Sequence, residues 1–323
     1  MVELSLAGTD AALNSSHIFG GSTVRKYFVG AAASTAALML GMSSALAAGA
    51  PAPRVPLIAD GFVSIAIGGA AQSVDFPGGS VSGNGVSLEG AASGAYNFSA
   101  TLGFQGDVVF GSQDYSGDLL GGESVSGRNV DAAIHAYYRN DQYLVGAFGQ
   151  YGNNTYTSAY GFTESLDHFY GGVEGQVFFG NATLYGQAGA QQVRSFGASV
   201  DGIFGTLEAR YFLEPNFKIE AHIGADALAS STSGIFDGDG ITTLHAGAGA
   251  EYRLDNSPIS FFAKYDYSRA TFSEESNVSE SDNRFLIGAK FNFESQTLMD
   301  RDRTGASLKP VDSRITGIFG YGP

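Results

Sequence analysis

From residue 60 onward apolar and polar side chains alternate with a period of two, the pattern of extended strands that keep one face in a hydrophobic phase. The alternation is cleanest toward the C-terminal end. In 217–228, Phe217, Ile219, Ala221, Ile223, Ala225 and Ala227 stand opposite Lys218, Glu220, His222, Gly224, Asp226 and Leu228. In 284–293, Phe285, Ile287, Ala289, Phe291 and Phe293 oppose Arg284, Leu286, Gly288, Lys290 and Asn292. Extended along the chain, the pattern predicts twelve strands, at 60–70, 86–96, 99–110, 129–138, 142–151, 167–178, 182–191, 203–212, 217–228, 243–253, 259–268 and 284–293.

Turn-forming residues sit at Asn97, Asn140-Asp141, Gly180-Asn181, Glu214-Pro215-Asn216 and Asp255-Asn256-Ser257-Pro258. Between these tight turns lie connections of about 11 to 18 residues rich in Gly, Ser, Asn and Asp. Short and long connections in alternation predict an all-β fold, a transmembrane antiparallel up-and-down β-barrel of about 12 strands with both termini at the short-turn end. A tilted strand crosses a bilayer in roughly 9 to 11 residues, and closure requires the last strand to pair with the first, because lipid tolerates no open edge. A soluble sandwich alternates too. The apolar face, however, ends in aromatics such as Tyr96, Tyr138, Tyr143, Tyr151, Tyr211, Tyr252 and Phe293, as an interfacial girdle does.

The same phasing collects the ionisable groups on one face, which the barrel turns inward. The candidate lumen acids are Glu89, Asp107, Asp131, Glu174, Glu208, Glu220, Asp226, Glu251 and Asp266; the candidate cations are Arg210, Lys218, Arg253, Lys264, Arg284 and Lys290. His135, His222 and His245 share the phase, as does His168. The cations all fall on the last five expected strands. Ladder pairs such as Lys218 with Glu208 and Lys264 with Glu251 are expected there, a salt-bridged wall, against the alternative of a transverse field that sorts solutes.

Composition narrows the chemistry. The chain has 323 residues with 46 Gly, no Cys and no Trp, so thiol catalysis, disulfides and zinc-thiolate sites are excluded. A net charge of -15 with no basic stripe argues against nucleic acid as a partner. No cofactor and no metal site are expected: Asp237-Gly-Asp239-Gly is half a calcium loop and reads as a turn, and no helix follows the glycine strings to receive a phosphate.

Near the N-terminus, Val24-Arg25-Lys26 opens an apolar run that ends in Ser43-Ser44-Ala45-Leu46-Ala47, the layout of a signal peptide cleaved after Ala47. Residues 24–47 are therefore expected to direct export, and 1–23 form a doubtful prefix with translation starting at Val24. Residues 57–293 are expected to be the barrel and 294–323 a disordered periplasmic tail carrying Asp300, Arg301, Asp302 and Arg303, with contact at the periplasmic rim as its alternative role.

Residues 57–293, with the stretches ATLYGQAG at 182–189, AEYRLDNSPISFFAKY at 250–265 and TLMDRDRTGASL at 297–308, resemble the porin-like outer-membrane β-barrels of Gram-negative, alphaproteobacterial-type bacteria. The resemblance implies a location in the outer membrane in contact with lipid and lipopolysaccharide. It also implies passive passage of small hydrophilic solutes through a narrow charged lumen, with a structural or surface-interaction barrel as the alternative. It implies no enzyme. Phospholipase barrels resemble one another in a lipid-facing His followed two residues later by Ser, and no His-x-Ser occurs here. The Asp167-His168 couple resembles the outer-rim pair of omptin-like proteases, but adjacent strand residues point to opposite faces.

Overall fold

The structure is a computed structural model that describes residues 59–117, 124–158, 163–195, 198–229, 240–272 and 278–313. The expected prefix and signal peptide lie outside these residues, as does the Asp237–Asp239 stretch.

Twelve antiparallel strands close into one barrel: β1 (Ala59–Phe76), β2 (Gly79–Asn97), β3 (Leu102–Gly117), β4 (Val125–Arg139), β5 (Tyr143–Ser158), β6 (Thr163–Phe179), β7 (Ala182–Ser195), β8 (Ala198–Glu214), β9 (Phe217–Leu228), β10 (Ile241–Arg253), β11 (Ile259–Phe272) and β12 (Ser279–Phe293). Each strand pairs with its sequence neighbours, and β12 closes onto β1 with Gly61 opposite Phe293 and Gly68 opposite Leu286. Closure leaves no edge, as lipid requires. At Gly68 the approach is so tight that a Cβ would stand 1.7 Å from the Phe285 carbonyl oxygen.

The apolar phase faces outward. Ile65, Ile134, Val173, Ile223 and Leu244 are more than half exposed, and Tyr96, Tyr138, Tyr143, Tyr211, Tyr252 and Phe293 form an exposed aromatic band near the short-turn end. An outward apolar surface banded by aromatics is the lipid-facing surface of an outer-membrane barrel. The short-turn end, where both barrel termini lie, is the periplasmic end in such barrels.

Two expectations need correction. Strands of about ten residues become strands of up to 19, because the Gly, Ser and Asn stretches read as long loops continue the ladder above the bilayer. Pairing there runs through backbone groups, which any side chain permits, so Gln72 to Phe76 pairs with Gly79 to Gly83 and the connection shrinks to Pro77-Gly78. The second correction is the tail. Residues 294–313 do not extend away from the barrel; they fold back through the periplasmic opening and run up inside it. The last ten residues, 314–323, lie outside the described ones.

Candidate functional site in the barrel lumen

The tail enters as a seven-residue helix, α1 (Leu298–Thr304), capped by Thr297, whose hydroxyl accepts from the Asp300 amide. Leu298 and Met299 pack on Phe212 inside the periplasmic end. Arg301 donates to Glu251 at 3.1 Å and to Asn292, and Arg303 donates to the carbonyls of Gly180 and Ala182. Asp302 accepts from Arg210 at 2.7 Å and from Thr183 at 2.5 Å. Burial alone would push the Asp302 carboxyl up, but Arg210 first and Arg303 next, with the Thr183 hydroxyl, more than offset this and hold it below its ordinary value.

After α1 the chain passes Asp60, which accepts from the amides of Ser295 and Ala306. The passage is narrow enough to need glycine: a Cβ on Gly305 would lie 1.6 Å from Asp60 Oδ2. Residues 306–313 then climb the wall made by β3–β8. Leu308 fills an apolar socket of Tyr137, Leu144, Phe178 and Tyr185, and Val311 packs with Phe148, Tyr170 and Phe204. Between them Lys309 reaches Glu208 at 2.8 Å and Glu220 at 3.1 Å.

All the candidate lumen residues lie on the inward phase. Along the tail, His135 bridges Asp107 at 3.1 Å and Glu174 at 2.7 Å, and Arg210 pairs with Glu208 at 2.6 Å. Arg253 donates to the carbonyls of Ser257 and Ser295. On the other wall, Arg284 contacts Asp266 at 2.8 Å and Glu89 at 3.2 Å, and Lys290 contacts Glu251 at 3.0 Å. His245 approaches Asp226 at 3.3 Å, and His222 lies 3.7 Å from Asp266. Asp131 accepts from Asn129 and Gln150.

The two expected ladder pairs do not form. Lys218 meets Glu220 at 2.7 Å and Glu251 at 3.5 Å, because the register sets it directly opposite Glu251, whereas Glu208 faces His222. Lys264 meets Glu89 at 2.7 Å: Gly249 stands opposite it on β10, and the small inward residues Ser64 and Ala66 of β1 let it reach across to β2. His168 is inward and Asp167 outward, which separates that couple as expected. Among the described residues no cluster of His, Cys, Asp and Glu is suited to a metal.

Beside the tail remains a cavity of about 310 Å³, running mainly along β8–β12, β1 and β2 and touched by Val109, Asp131 and Gln187 of β3, β4 and β7. Nine carboxylates, among them Asp282 and Asp312, line it with five Lys or Arg side chains and two histidines. Toward its upper part Asp131, Asp226 and Asp282 take partners from Asn129, His245 and Tyr115 rather than from a lysine or arginine. Above this, near the ends of β6–β11 away from the periplasm, Leu166, Val193, Val200, Leu228, Ile241 and Ala270 turn inward and pack into an apolar cluster.

Sequence reasoning missed several inward residues. Arg139, one residue beyond the expected fourth strand, donates to Gly305 and Ser307. Gln105, Gln150, Gln176 and Gln187 hold the tail; two of them sit in phase with an expected lumen acid on the same strand, Gln105 two residues from Asp107 and Gln176 two from Glu174. That shared phase was the available signal.

The sequence matches no family model and no curated protein. Solved structures match the fold. An outer-membrane channel from Pseudomonas putida F1 aligns at a TM-score of 0.55 with 13% identity, covering 75% of this chain and 99% of the other. The translocator domain of the autotransporter NalP from Neisseria meningitidis aligns at 0.48 with 14% identity, covering 85% of this chain and 100% of the other. A Pseudomonas aeruginosa FadL homologue aligns at 0.42 with 11% identity, covering 73% of this chain and 90% of the other. The likeness is one of fold, that of outer-membrane β-barrels.

Proposed function

We propose that this barrel is an outer-membrane channel for small hydrophilic solutes, cation-preferring, with a resting state narrowed by its own C-terminal segment. The observation that carries the reading is the cavity of about 310 Å³ left beside the tail, lined by nine carboxylates against five Lys or Arg. Carboxylates in excess concentrate cations in a low-dielectric passage. The paired charges of Lys264, Arg284, Glu89 and Asp266 make this wall rigid rather than field-separated. In this reading the tail and the apolar cluster above it act as two barriers in series, the second of the kind that gates by dewetting. Export by the signal peptide at 24–47 and insertion among lipid and lipopolysaccharide complete the reading.

Planar-bilayer recording and liposome swelling test it. The expected result is a small conductance with cation preference that rises when the tail is released. Anion selectivity, or liposomes that stay sealed after tail release, would contradict it. The buried tail favours a second reading, a structural or surface-interaction barrel sealed at both ends, and sealed liposomes around a folded tail-released barrel are the outcome that selects it.

A further inference from the structure

The wall that carries the tail recognises main chain. Gln105 Nε2 donates to the Leu308 carbonyl at 2.8 Å while its Oε1 accepts from the Leu308 amide at 3.1 Å. Gln150 does the same to Val311, at 2.7 Å in each direction. A side-chain amide that gives and takes one hydrogen bond with a single residue reproduces the exchange a paired residue makes in an antiparallel ladder. Gln187 donates to the Lys309 carbonyl at 2.8 Å and Asn154 to the Ser313 carbonyl at 2.7 Å. Four amides from β3, β5 and β7 thus converge on one extended backbone, all of them buried beneath it. Without an occupant offering alternating N–H and C=O groups, they would lose these bonds together. Ions and small sugars offer no such array.

Side-chain sockets add a pattern to this backbone recognition: apolar at Leu308, basic at Lys309 between Glu208 and Glu220, apolar again at Val311. We propose that the wall of β3–β8 is a binding track for extended peptides of the pattern apolar, basic, any, apolar, and that residues 305–313 are a tethered occupant that such peptides replace. Attached to the barrel, the tail acts at an effective concentration on the order of millimolar, so a free peptide enters only where the tail is weakened. The proposal goes beyond the channel reading, and peptide binding is measurable whether or not ions pass.

The test uses the full chain carrying Leu308→Pro and Val311→Pro, which removes the two main-chain donors that Gln105 and Gln150 accept. Because the sequence has no Cys, a Ser313→Cys reporter labels uniquely and reads tail release. Leu308→Val with Val311→Ile, which keeps both donors, is the control. Three fluorescent peptides spanning 305–313 are then titrated by anisotropy: the native sequence, one with Lys309→Glu, and one N-methylated at Leu308 and Val311. The expected result is labelling at least about 10-fold faster in the proline variant, binding of the native peptide, and binding at least about 10-fold weaker for each altered peptide. The proposal is overturned if the proline tail stays protected, if a released tail leaves a barrel that binds no peptide, or if N-methylation changes nothing. Gln105→Ala with Gln150→Ala gives the same decision from the wall side: the tail must be released and the native peptide must fail to bind. A barrel that binds peptide yet never conducts would sink the channel reading and leave this one standing.

Discussion

The wall built from β3–β7 and the wall built from β9–β12 with β1 and β2 enclose one lumen but satisfy their inward polar groups differently. On the first, amides and apolar side chains face a segment of the chain itself; Gln105, Gln150 and Gln187 bond to main chain, and Leu308 and Val311 fill sockets. On the second, Lys264, Arg284, Glu89 and Asp266 pair with one another and leave open space in front of them. The ion pairs are satisfied within their wall, whereas the amides, though each also meets a side chain of the wall, direct their main-chain bonds at an occupant. The two meet at β8, where Glu208 serves both Arg210 of the barrel and Lys309 of the tail.

The contrast can be broken most completely at Gly305. Gly305→Val puts side-chain atoms where Asp60 Oδ2 already stands, so the tail is expected to leave the lumen and single-channel conductance to rise several-fold, while heat-modifiable mobility of the barrel stays unchanged. Arg210→Ala comes next. It leaves buried Glu208 with Lys309 alone and buried Asp302 with Thr183 and Arg303; removing one partner of a buried pair costs roughly 3–5 kcal/mol, and the remaining partners set the lower end of that range, read as tail docking by protection from limited proteolysis. Leu308→Ala empties one socket and is expected to cost about 2–5 kcal/mol of the same docking, toward the lower end because the neighbouring residues are themselves tail-facing and can relax.

Acidification sharpens the comparison from another side. The carboxyl of Asp302 lies below its ordinary value of 3.8, so its contribution to docking is fully present above that value and is lost as the pH falls through the lowered one. Conductance is therefore expected to stay low from neutral pH down to about 4 and to rise below it; a rise already near pH 6 would exclude this carboxylate as the cause. The smallest effect belongs to the self-paired wall. Glu89→Gln leaves Arg284 its Asp266 partner and the half-buried Lys264 an amide oxygen in place of the carboxylate, and is expected to change stability by about 1 kcal/mol, to leave the tail in place, and to lower cation preference measured by reversal potential.

The barrel was legible because its code is a period of two, repeated twelve times with the ionisable residues in one phase, and lipid outside enforces that phase at every strand. Strand length above the bilayer was not legible, since Gly, Ser and Asn at 79–85 carry no face preference while their backbone pairs freely with 70–76. The lumen lining was legible residue by residue, but its partners were not: whether Lys264 meets Glu251 or Glu89 depends on register and on the small residues of β1. The tail was misread because Asp300 to Arg303 looks solvated in sequence. Its charges are matched instead to Arg210, Glu251 and carbonyls that no local pattern reveals, whereas the apolar, basic, apolar spacing of Leu308, Lys309 and Val311 was a signal in plain view.

Hydrogen exchange of the intact protein in detergent or lipid tests the central claim most directly. If residues 294–313 occupy the lumen, the amides of Leu308 and Val311, bonded to Gln105 and Gln150, exchange orders of magnitude more slowly than in a free peptide, and Gln105→Ala with Gln150→Ala abolishes the protection. Exchange of these two amides at free-peptide rates in a folded barrel would contradict the account.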